Sequence, residues 1–99
     1  MIEYLFDCIK ATANTDTVIT AQILDANDIP ITEGCALMLH DKEDNMIGTY
    51  AGEYVAEMNT WYFSIPAADT TGFKGRYMYC LCNVAEQHNL CFKQPIYFV

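Results

Sequence analysis

The sequence predicts an all-β protein: one antiparallel β-sandwich of seven to eight short strands. Three observations predict it. Apolar and polar residues alternate at period two through most of the chain. Clusters of Asp, Asn, Gly and Pro cut it into pieces spaced roughly 8–12 residues apart. Tyr, Phe and Trp make up 13% of the 99 residues, and aromatic side chains suit a pleated, half-buried surface.

The opening "MIEYLFDCI" alternates, with Ile2, Tyr4, Phe6 and Cys8 on one face and Glu3, Leu5, Asp7 and Ile9 on the other. "ATANTD" ends that pattern, so residues 1–15 read as an edge strand or an N-terminal arm. "TVITAQILD" resumes it, setting Ile19, Ala21 and Ile23 against Val18, Thr20, Gln22 and Leu24. Asp25, Asn27, Asp28 and Pro30 then supply turn chemistry. "CALMLH" is almost entirely apolar, as in a strand covered on both faces. "DKEDN" makes a polar hairpin tip, and Gly48 and Gly52 in "MIGTYAG" suggest a bulge or close turn. "EYVAEMNTWYFSIP" carries Val55 and Trp61 through Ile65 to Pro66, although "EYVAEM" also fits a single helical turn. "AADTTGFKG" is a connection, after which Gly75 introduces "RYMYCLCNV". "AEQHN" turns the chain back into "LCFKQPIYFV", where Pro95 marks an edge strand or a strand end. No repeat or linker divides residues 1–99, which read as one domain.

The apolar content of 53% against 18% charged residues describes a chain with a packed core. Thirteen acidic residues against five basic ones give a net charge of −8. That field repels nucleic-acid phosphates and anionic membranes and leaves proteins as the expected partners. Glu3 and Asp7 interrupt the apolar start, with no basic residue ahead of them, so a signal peptide is not expected. No apolar run approaches the ~20 residues of a membrane-spanning helix. Five cysteines without a secretory signal read as free thiols in a reducing compartment.

Cys80, Cys82, His88 and Cys91 form the densest cluster of reactive side chains. Zinc would need four ligands converging as a tetrahedron, and C-x-C on an extended strand holds its residues roughly 6–7 Å apart along the chain. A cross-strand disulfide is sterically open, with Cys91 placed near Val84 and diagonal to Cys82, but an oxidising compartment is not indicated. Buried free thiols are the expected state. Asp41, Glu43 and Asp44 lack the spacing of an EF-hand loop, so a solvated tip is expected there, with His40 as a strand-end residue. Trp61 suits either the core or stacking on a sugar ring, with the core favoured. No catalytic triad order, nucleophile elbow or phosphate loop is legible. The expectation is therefore a protein that is not an enzyme and holds no cofactor or metal.

One feature demands a partner surface. "RYMYCLCNV" is apolar on both faces, with Tyr77, Tyr79 and Leu81 on one and Met78, Cys80, Cys82 and Val84 on the other. "PIYFV" repeats this, with Ile96 and Phe98 against Tyr97 and Val99. A two-layer sandwich wets one face of each sheet, so either the N-terminal segment or another subunit should cover the second face. Ile2, Tyr4, Phe6, Tyr77, Tyr79 and Tyr97 are the expected contact residues.

The order "VITAQILDANDIPI", "LMLHDKEDNMIGT", "WYFSIP", "GFKGRYMYCLCNV", "PIYFV" resembles the small immunoglobulin-like sandwiches of tailed-bacteriophage virions. It is similar in particular to the N-terminal domain of siphophage baseplate upper proteins. The likeness spans residues 17–99 and includes Gly75-Arg76-Tyr77 leading into the late strand. It implies a non-enzymatic virion protein, assembled in the host cytoplasm. Its partners would be major capsid or tail and baseplate proteins, with homo-oligomers also allowed. The fibre or receptor-binding region that would follow in that family is absent, and an apolar N-terminal segment is added. Those departures point towards a capsid decoration, head accessory or tail-associated protein. A carbohydrate-binding module using Trp61 and surface tyrosines is the alternative, followed by a small Cys/His metalloprotein.

Overall fold

Two acidic turns, at residues 25–29 and 41–45, are built alike. In the computed structural model, Asp25 Oδ1 accepts the N–H groups of Asn27 (2.8 Å) and Ile29 (3.0 Å). Asp41 Oδ1 accepts those of Glu43 (3.0 Å) and Asn45 (2.9 Å) in the same way. The fourth residue of each turn, Asp28 or Asp44, takes a left-handed φ of 63° or 69°, which a short acidic side chain tolerates. The acidity of these tips thus serves the backbone.

The structure describes residues 2–4, 8–84, 88–91 and 93–99, with backbone alone at 2–4 and 88. Its strands are β1 (Ile2–Tyr4), β2 (Ile9–Ala11), β3 (Thr17–Ala21), β4 (Cys35–His40), β5 (Met46–Val55), β6 (Thr60–Ile65), β7 (Gly75–Asn83), β8 (His88–Asn89) and β9 (Gln94–Phe98). The hydrogen-bonded order is β1-β2-β9-β7-β4-β5-β6-β3, with β8 also on β7. Every pairing is antiparallel except β2 with β9. The two ends of this order, β1 and β3, approach each other, so the sheet nearly closes on itself. The protein is all-β, and its only helical turns among the described residues are short 3-10 segments at Ala56–Met58 and Ala67–Thr70. The strand count exceeds the expected seven to eight because the N-terminal segment supplies two strands and β8 is separate from β9.

β5 belongs to two ladders. Its first half pairs with β4 as far as Ala51, and from Gly52 onward it pairs with β6. Gly52 sits at the switch, where a Cβ would lie 2.6 Å from the rings of both Phe63 and Trp61. Only a residue without a side chain lets the ladders close there. The expected bulge lies nearby: Leu39 faces Gly48 but His40 faces Met46, leaving Ile47 extra.

The resulting layers, β2-β9-β7-β4-β5 and β5-β6-β3, share one core. β3 and β6 fill it by alternation. Ile19 faces Phe63, and Thr17 faces Ile65, all buried, while Val18 and Ser64 between them are exposed. From the other layer come Leu37 and Leu39 of β4, Tyr79 and Leu81 of β7, and Ile96 and Phe98 of β9. Trp61 is 3% exposed, and its Nε1 donates to the Ile31 carbonyl at 2.7 Å.

Two open alternatives are decided by the pairing. β9 lies inside the sheet, flanked by β7 and β2, so of the two readings of Pro95 the edge strand is excluded and the strand end holds, one residue in from Gln94. β2 pairs only with Ile96 to Phe98, so the missing N–H of Pro95 falls where the neighbour has already ended. The N-terminal segment takes the edge-strand alternative, extending the sheet edgewise through β2 and β1, and is not the cover of the outer face, the other possibility for it.

Candidate functional site

The question raised by the doubly apolar β7 is what covers its outer side. Register assembles that surface in rows. Arg76 of β7 lies opposite Tyr97 of β9, which lies opposite Lys10 of β2. The next row runs Pro95, Met78, His40, Met46, and beyond it Cys80, Met38, Thr49, then Cys82, Ala36, Ala51.

The further rows are closed by the chain itself. Cys80 and Cys82 are each 4% exposed. β8 and β9 both pair with β7, but Cys82 faces Asn89 while Tyr79 faces Gln94. Between those pairings the described residues Leu90, Cys91 and Lys93 form a lobe beside Cys80 and Leu81. These three, with Asn89 and Cys80, line a cavity of about 520 Å³. Lys93 reaches from the lobe to pair with Asp44 on the β4–β5 tip. The field of that pair acts on Cys80, and Asp44 also senses His40. Cys80 is therefore screened by Asn89, Leu90, Cys91 and Lys93, and neither it nor the equally buried Cys82 is an open contact face.

The cluster at Cys80, Cys82, His88 and Cys91 is likewise rearranged. Cys91 does not face Val84: its Sγ accepts the N–H of Leu81 at 3.2 Å. None of the five cysteines forms a disulfide. Burial pushes the thiols of Cys80 and Cys82 up, and neighbouring sulfurs add to it at Cys80. Such thiols stay protonated at neutral pH and make poor nucleophiles or metal ligands. Among the described residues, no group of three His, Cys, Asp or Glu side chains is placed to hold a metal; the side chain of His88 lies outside them.

Of the six contact candidates, Phe6 lies outside the described residues, and Ile2 and Tyr4 have only their backbone positions in β1. Tyr79 is 6% exposed with its hydroxyl donating to Gln94 Oε1 at 3.0 Å. It belongs to the core, because β7 turns this side chain inward with Leu81. Tyr77 is half-buried, stacked on Phe73 at 4.4 Å and edge-on to Phe98. Tyr97, at 38% exposure, is the candidate that reaches the surface. The buried Trp61 offers no face to a sugar.

No protein family, no curated protein and no solved structure matches this chain. Function therefore has to be read from the surface chemistry.

What remains open is the first row: Tyr97 between Lys10 and Arg76, with all three exposed. Lys42, Arg76 and Met78 line a shallow cavity of about 260 Å³ beside it. The sequence hid this row because its members lie on three strands, joined only by register. His40 was also underrated. It is 8% exposed, and neither ring nitrogen has a hydrogen-bond partner among the described residues.

Proposed function

We propose that this chain is a non-enzymatic structural protein, an immunoglobulin-like sandwich that docks on other proteins of a tailed-bacteriophage particle. The strand order supports the immunoglobulin-like reading. β3-β6-β5 reproduces the B-E-D ladder of that architecture and β4-β7-β9 its C-F-G ladder. The departures are the β4–β5 pairing, which joins the two ladders into one nearly closed sheet, a core tryptophan on the E-like strand and the lack of an inter-sheet disulfide between described cysteines.

The observation that carries the docking reading is the exposed row Lys10, Tyr97, Arg76. A tyrosine in register between two cations combines apolar area with charge, and Tyr and Arg are enriched at protein contact surfaces. The partner in this reading is a capsid or tail protein, and attachment follows synthesis in the host cytoplasm. The resemblance of residues 17–99 to virion sandwiches supplies the setting, and the row supplies the surface.

The experiment is copurification. The tagged chain, produced during infection, should band with particles on a density gradient, and Tyr97→Ala with Arg76→Ala should release it to the soluble fraction. A chain absent from the particles ends the virion reading. A double variant that still bands with them ends the assignment of this row.

A further inference from the structure

β7 and the bend after β8 bring together three cysteines that the docking reading leaves unused. The register of β8 on β7 pairs Asn83 with His88 and Cys82 with Asn89. It runs one residue further, since the Leu90 N–H donates to the Leu81 carbonyl at 2.9 Å. Carried on by one more, it sets Cys91 beside Cys80. Opposed residues of an antiparallel pair hold their Cα atoms roughly 4.5–5.5 Å apart. A disulfide bridges roughly 4.4–6.8 Å.

The chain bends at Leu90 and Cys91, and the Cys91 Sγ, in place of a carbonyl, accepts the Leu81 N–H at 3.2 Å. That nitrogen is bonded to the Cys80 carbonyl carbon. The 3.2 Å and the two backbone bonds put the Cys91 sulfur no more than about 6 Å from the Cys80 Cα. Both residues line the same cavity of about 520 Å³. Burial is the main cause that holds the Cys80 thiol up, and the Cys91 sulfur comes next, ahead of Cys82. The two thiols differ in access: Cys91 is half-buried, whereas Cys80 is 4% exposed.

We propose that Cys80 and Cys91 are a disulfide-forming pair, which an oxidising disulfide of low molecular mass converts into a covalent clamp between β7 and the bend at Leu90 and Cys91. The more accessible Cys91 reacts first. Its thiolate attacks one sulfur of the oxidant, forming a mixed disulfide and releasing one thiolate. The Cys80 thiolate then attacks the Cys91 sulfur, forming the Cys80–Cys91 bond and releasing the second half of the oxidant. The two protein thiols give up two protons and two electrons, and the oxidant takes them up as two thiols. A buried thiol is a weak attacker, and its placement beside the mixed disulfide offsets that by proximity. The bond restricts the unfolded chain between the two residues and so stabilises the fold. A chain made with free thiols thereby gains a staple when it meets an oxidising solution. The pair lies outside the Lys10, Tyr97, Arg76 row, so its failure and the failure of the docking reading are separate results.

The experiment treats the reduced full chain with oxidised glutathione, on a Cys8→Ala background that removes the other half-buried thiol. The monomer should lose the mass of two hydrogen atoms and regain it with dithiothreitol. Cleavage after Glu86 parts Cys91 from Cys80 and Cys82, so the peptides carrying them should stay joined until reduced. Cys82→Ala should leave the cross-link intact, whereas Cys80→Ala and Cys91→Ala should each abolish it. Cys91→Ala, at a half-buried position, keeps the test valid where Cys80→Ala disturbs the circular dichroism. The oxidised chain should unfold at a higher urea concentration than the reduced one, and that shift should be lost in Cys91→Ala. A chain that keeps its thiols, or one that retains glutathione on Cys91 without releasing it, overturns the proposal. So does a cross-link that survives Cys80→Ala, or an unfolding midpoint that ignores oxidation.

Discussion

The pairs β3–β6 and β4–β7 show two ways for a strand pair to be buried. β3 and β6 alternate strictly, with Ile19, Phe63 and Ile65 inside and Val18 and Ser64 in water. Their burial follows from the pleat, because successive side chains point to opposite faces. β4 and β7 are buried on both sides. Leu37 and Leu81 face the core, while Ala36, Cys80 and Cys82 are hidden on the outer side. Beside Cys80 that cover comes from Asn89, Leu90, Cys91 and Lys93, the last paired with a distant turn. An apolar strand face therefore announces that it will be covered without saying by what.

The comparison can be broken first at its shared core. Leu37→Ala, at a fully buried position on β4, should cost about 2–5 kcal/mol in urea unfolding, from lost transfer energy and a residual cavity. A loss below about 1 kcal/mol would mean that the β4–β7 centre is loosely packed.

The outer faces are separated by two isosteric swaps that each bring in a hydroxyl. Cys80→Ser should cost about 1–3 kcal/mol, because the roof leaves the new hydroxyl without water. Val18→Thr, on the open face of β3, should stay within about 0.5 kcal/mol. Equal effects would show that the lobe does not seal Cys80.

His40, whose ring nitrogens have no hydrogen-bond partner among the described residues, tests the buried end of β4. Replacing an imidazole whose nitrogens are buried and unpartnered should stabilise the fold, so His40→Leu should raise the unfolding free energy by about 1 kcal/mol. A destabilised variant would show that His40 makes a polar contact worth keeping.

The smallest effect concerns Tyr50, where the switching strand meets the 66–74 loop. Burial and its hydrogen bond to Asp69 push the Tyr50 hydroxyl up to about 12. The folded state thus holds this proton more tightly than the unfolded chain does. The resulting stabilisation is complete below the ordinary tyrosine value near 10 and is lost as pH rises towards 12. Denaturant midpoints measured between pH 9 and 11 should fall less steeply for Tyr50→Phe than for the wild type. Parallel slopes would remove Tyr50 from the alkaline transition.

What the sequence determined by itself is the class of fold and much of its punctuation. Alternation put Ile19 and Ile23 on one face and Val18 and Leu24 on the other, the first buried and the second exposed in the fold, and "DANDI" and "DKEDN" placed two turns through contacts spanning four residues. These are legible because they depend on neighbours along the chain. The tertiary structure alone decided that Leu90, Cys91 and Lys93 stand beside Cys80, that β5 changes ladders at Gly52, and that Pro95 lies within an inner strand. It also alone aligned Lys10, Tyr97 and Arg76, which stand far apart in sequence. Register between non-consecutive strands sets each of these. A strand's own residues say which of its faces is apolar, but the neighbour brought beside it is chosen by the closing of the whole sheet.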